Sequence, residues 1–137
     1  MLKVKRFCGV ESYPLSAAKW YVLGNTMWIY MSFSEGIDLH DDTKFLAQEP
    51  TWVLSFKINS ENEIKSGVIF ENANESDEDA VFYYCEHTPT YKNRIEIVER
   101  QNDNIFVRIS GECCDINYYD GSKGNDILEI TAWINKK

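Results

Sequence analysis

Alternation of apolar and polar residues with a period of two recurs along most of the chain, and nothing else in the sequence restricts its fold as much. Met27, Ile29, Met31 and Phe33 fall on one side of a run whose other side is Trp28, Tyr30, Ser32 and Ser34. Trp52, Leu54, Phe56 and Ile58 alternate with Val53, Ser55 and Lys57. "RIEIVER" and "IFVRISGEC" flank "QNDN" as a hairpin, with Ile95, Ile97, Ile105, Val107 and Ile109 facing inward. Leu128, Ile130, Ala132 and Ile134 define the last strand. Such a period cannot follow one face of a helix, so these segments demand strands with one covered face.

Between these runs the chain is punctuated by turn residues and short strands. Residues 1 to 8 alternate weakly, with Leu2, Val4, Arg6 and Cys8 on one side, as an edge strand would. "WYVLGNTMWIYMSF" reads as a hairpin around Gly24-Asn25 with glycine at the first position of a type II′ turn, preceded by at most one helical turn at Leu15 to Lys19. "HDDTKFLAQEP" suits a short helix capped by Asp41 and stopped before Pro50. Residues 67 to 87 read as two strands joined by an acidic loop, and "DINYYDGSKGND" is a turn-rich loop. Eight or nine short strands without a repeat or linker predict one domain over residues 1–137. It is mainly β, an antiparallel sandwich or partly closed barrel with one or two short helical turns. The aromatic share of 14%, with four Trp and eight Tyr, fits strands better than helices.

Chemistry-bearing motifs are scarce. His40 and His87 are the two histidines, and neither stands near a recognisable nucleophile, so no catalytic residue is assigned and the protein is not expected to be an enzyme. Asp38, His40 and Asp42 would converge on a metal only if extended; they read better as a polar loop or helix cap, and no metal or cofactor is expected. "GSKGND" lacks the spacing and following helix of a phosphate loop. Trp20, Trp52 and Trp133 are assigned to the core, whereas Trp28 and Tyr30 stand on the outer side of their strand. Cys8, Cys85, Cys113 and Cys114 include no CxxC pair and read as free thiols. With "MLKVKRFCGV" at the N-terminus in place of an apolar leader, they place the protein in a reducing cytoplasm.

Charge supplies the functional lead. The net charge of −8 repels phosphate backbones and anionic lipid, so nucleic acid and membranes are poor partners and a basic protein is a better one. That charge is concentrated in "ENANESDEDA". Glu71, Glu75, Asp77, Glu78, Asp79 and Glu86 occur between residues 71 and 86 without one Lys or Arg, and Tyr83 and Tyr84 lie among them. Steering acids beside aromatic anchors are what a binder of a basic protein needs.

A small acidic β protein with "ENANESDEDA" and "EHTPTY" as its local features resembles the immunity proteins that bacteria pair with secreted toxic nucleases, as in contact-dependent inhibition and polymorphic toxin systems. The resemblance implies an inhibitor that covers or distorts the active site of a cognate basic toxin domain, its acids mimicking phosphates. The alternative is a small-ligand-binding β-barrel or sandwich without catalytic activity, which would need an interior less filled than Phe33, Trp52 and Phe56 suggest.

Overall fold

The alternating segments become the long strands of a computed structural model that describes residues 1–42, 49–72, 80–84 and 86–137. Among them are eleven strands: β1 (Leu2–Arg6), β2 (Gly9–Tyr13), β3 (Leu15–Leu23), β4 (Thr26–Phe33), β5 (Thr51–Lys57), β6 (Ile69–Asn72), β7 (Ala80–Tyr83), β8 (His87–Pro89), β9 (Tyr91–Gln101), β10 (Asn104–Cys113) and β11 (Asp126–Lys136). One 3₁₀ turn, Glu61–Glu63, is the only helical element of the described residues. The predicted cap at Asp41 and the helix after it fall largely on residues 43–48, outside the described residues.

The strands form one curled, open sheet, a half-barrel, in the order β6-β9-β10-β11-β3-β4-β5-β7-β8. β1 joins this path on β11 and carries β2, so residues 2–6 are flanked on both sides and are not the expected edge. Pairing is antiparallel except at β11–β3, where Asn135 and Lys136 lie parallel to Lys19 and Trp20. The β3–β4 hairpin is as expected: Gly24 takes φ +57°, the glycine-favoured sign at the first turn position, while the chain before it is strand, without the helical turn anticipated at Leu15 to Lys19. β6 and β7 do not pair with each other; β6 lies on β9 and β7 on β5.

The curl fills the interior. Trp20, Trp52, Tyr13, Phe33, Phe56 and Phe82 are all essentially inaccessible, and the isoleucines of β9, β10 and β11 pack behind them. Trp133, expected in the core, is 43% exposed on the outer face against Phe106, because it sits one residue out of phase with Leu128, Ile130 and Ile134. β9 and β10 lose register between Ser110 and Glu112, and Lys92 turns to φ +51° opposite this irregularity. Gly111 sits there, where a methyl group would stand 2.5 Å from Asn93 Oδ1 and 2.9 Å from the Trp52 ring. Gly111→Ala therefore overpacks a site bounded by two buried side chains, and urea unfolding should register a loss of about 1–3 kcal/mol; an unchanged midpoint would mean that Trp52 and Asn93 yield freely.

Candidate partner-binding surface and buried ionic cluster

β5 holds the residues on either side of the acidic stretch. Glu71 stands exposed on β6, with a loose contact of 3.7 Å to Arg94. The next residue, Asn72, donates from Nδ2 to the Ser55 carbonyl at 2.5 Å. Ala80, where the chain re-enters the sheet, pairs with Leu54. Both flanks of the segment are thus held against consecutive residues of one strand. Glu75, Asp77, Glu78 and Asp79 lie between them, outside the described residues.

The outer face next to these anchors is aromatic. Trp28 pairs opposite Ser55, Tyr30 opposite Val53, and Val53 opposite Val81, which in turn faces Pro89. One row along, Thr51 pairs with Tyr83 and Tyr83 with His87, their rings 4.8 Å apart. Tyr30 is 45% and Tyr83 38% exposed, and Glu86, three residues after Tyr83, is exposed as well. Of the two tyrosines picked as surface anchors, Tyr84 is corrected by the fold. It is 3% exposed, on the inner side of the sheet, its ring edge-on to Tyr13 at 6.3 Å. Alternation explains the split, since neighbouring residues of an extended segment face opposite sides. Tyr83 faces out, and Tyr84 belongs to the core.

The other cluster of charged residues is buried. The Arg6 guanidinium donates to Asp115 through Nε (2.9 Å) and Nη2 (3.0 Å), to Glu11 through Nη1 (3.0 Å), and to Asp42 through Nη1 (3.1 Å) and Nη2 (2.9 Å). The side chains of Arg6, Glu11 and Asp115 are fully covered, while that of Asp42 is 33% exposed. Tyr13 adds its hydroxyl to Glu11 at 2.9 Å. Asp126, also fully buried, accepts the Ile116 N–H at Oδ2 (3.0 Å).

Burial works against the Arg6 charge, but its three carboxylate partners outweigh that and hold its pKa above the ordinary value. Burial also works against ionised Asp115, yet hydrogen bonds from Arg6 and Asp126 keep it below the usual carboxylate range. Hydrogen bonding to Arg6 lowers Asp42 too. Asp126 makes no hydrogen bond to Arg6: burial, then Asp115 beside it, push it up to about 9, so it is protonated at neutral pH. These groups tie β1, β2, the 37–42 loop and the 114–125 loop together. Sealed from solvent, Glu11, Asp115 and Asp126 cannot meet a substrate.

The candidate metal triad does not assemble. The His40 ring packs on Gly9, Asp42 is committed to Arg6, and Asp38 is exposed at φ +55°. Among the described residues no three or more His, Cys, Asp or Glu side chains converge as metal ligands. Cys8, Cys113 and Cys114 are free thiols; Cys85 lies outside the described residues. No helix of the described residues is long and apolar enough to cross a membrane. No protein family, curated protein or solved structure matches the chain.

Proposed function

We propose that the protein is an immunity-type inhibitor: it binds a basic toxin domain, most simply a nuclease, in the cytoplasm and neutralises it by occupying its active-site face, without turnover of its own. The observation that supports this reading is the tether of residues 73–79. Its flanks, Asn72 and Ala80, are held on Ser55 and Leu54; Ser55 pairs with Trp28, and three residues beyond Ala80 along β7 stands exposed Tyr83. The segment between these flanks carries four acids in sequence, and acids together with the outward aromatic strip would join long-range attraction to a short-range apolar contact. The filled interior favours this reading over a barrel with an internal ligand.

The test uses the product of the adjacent reading frame, where a cognate toxin belongs on this reading. Coexpression should rescue growth, and surface plasmon resonance should resolve two kinds of variant. Replacing Glu75, Asp77, Glu78 and Asp79 by their amides should slow association by about tenfold at low salt and flatten its dependence on ionic strength. Tyr83→Ala should mainly speed dissociation, by a factor corresponding to roughly 2 kcal/mol. If the neighbouring product neither binds nor is neutralised the proposal fails; if it binds and both variants behave as the parent, the contact face lies elsewhere.

A further inference from the structure

A second feature of the outer face concerns positive charge. Lys19 of β3 lies opposite Tyr30 of β4 in the ladder, and Tyr21 is two residues further along the same side. Asn135 and Lys136 run parallel to Lys19 and Trp20, and the Lys137 N–H donates to the Trp20 carbonyl at 2.8 Å, which brings Lys137 to the same place. Its Nζ stands 5.3 Å from the centre of the Tyr21 ring. Lys19, Tyr21, Tyr30 and Lys137 surround a cleft of about 380 Å³.

The cations of this cleft, like Lys3, Lys57, Lys65 and Lys123, stand outside the ion pairs of the described residues. Lys5, Lys92, Arg94, Arg100, Arg108 and Lys136 each have a carboxylate within ion-pair distance, some of them loosely. Among the described residues neither Lys19 nor Lys137 has one, although acids outnumber bases 22 to 14 in the chain. Two ammonium groups without acids therefore border a space walled by two phenol rings. The rings offer stacking area at little entropic cost, and the ammonium groups offer charge without the planar fork of an arginine or a nest of backbone N–H groups that phosphate recognition favours.

We infer that this cleft binds a carboxylate carried on a flat apolar body, the body stacked against Tyr21 and Tyr30 and the carboxylate between Lys19 and Lys137. The site does not use the acidic segment, but it shares Tyr30 with the aromatic strip proposed to meet the toxin. Its surroundings are exposed and its ion pairs screened, so affinity is modest, with Kd on the order of 1 mM for a single-ring acid.

Benzoate is the probe, with benzamide as its neutral counterpart, titrated into the ¹⁵N-labelled protein and followed by amide shifts. Benzoate should give saturable shifts centred on Lys19, Tyr21, Tyr30 and Lys137, and the paired substitution Lys19→Met with Lys137→Met should weaken binding by about tenfold while leaving the rest of the spectrum in place. Tyr30→Ala, which keeps both charges, should weaken it as well. Equal shifts with benzamide, no saturable shift up to roughly 50 mM, or an affinity unmoved by the lysine pair would overturn the assignment.

Discussion

Replacing Arg6 by Met will cost the fold about 3–5 kcal/mol, because it strips Glu11 and Asp115, both fully covered, of the cation that makes their burial tolerable. A domain of this size has roughly 5–15 kcal/mol in all, so the variant will be partly unfolded at moderate urea concentrations. The pH dependence provides a second readout. Without Arg6 the burial of Asp115 is no longer offset and its carboxyl titrates upward in the folded state, and a folded pKa above the unfolded one means stability that is lost as pH rises. Arg6→Met should accordingly recover stability as pH falls from 7 towards 5. Asp42→Asn, at a carboxylate one-third exposed, should cost no more than about 1 kcal/mol. A loss below about 1 kcal/mol for Arg6→Met would mean that water enters the cluster once the guanidinium is gone.

Asp126→Asn should do the opposite and stabilise the protein, by roughly 2–4 kcal/mol at pH 8. In the parent, Asp126 titrates near 9 when folded and near the ordinary aspartate value when unfolded, so across that interval the native state binds one proton more. Its contribution is complete below about pH 4 and is lost as pH rises through the folded value, at up to about 1.4 kcal/mol per unit. Asp42 and Asp115, both lowered, act at the acid end: their stabilisation is present above the unfolded value and disappears as pH falls through the folded one. The stability maximum should thus lie on the acid side of neutrality. Asparagine keeps the geometry, its oxygen accepting from Ile116 and its amide donating to Asp115, and has no proton to lose. Urea unfolding of both proteins from pH 5 to 9 decides the matter; an undiminished alkaline decline in the variant would place the proton on another group.

The contrast between the strands and this cluster shows what the sequence could reveal. The period of two located β4, β5, β9, β10 and β11 because each has one covered face, and a single chain carries that information locally. The partition into a half-barrel, with β1 on β11 and β7 on β5, is decided by pairings between strands far apart in the chain, which no local pattern encodes. Arg6 was visible in part, since it shares the phase of Leu2 and Val4, and Asp126 likewise shares the phase of Leu128 and Ile130. A charge at an apolar position was the available signal, but its partners are up to 109 residues away. Of the surface site, Tyr30 and Tyr83 were legible from alternation, and the same alternation, applied one residue further, places Tyr84 inside. The Lys19–Lys137 cleft was beyond reach, for it depends on the parallel junction of β11 with β3.

Anchoring both flanks of residues 73–79 on Leu54 and Ser55 also has an evolutionary side. Residues can be added between two such fixed points at little thermodynamic expense, about 0.6 kcal/mol for each doubling of length, and without disturbing the packing of β5. Descendants of one gene could therefore exchange the letters and the length of this segment while inheriting the rest unchanged. On the inhibitory reading, a lineage of toxins and their antagonists could diversify by rewriting this one segment, each new pair insulated from the others and all of them served by the same half-barrel.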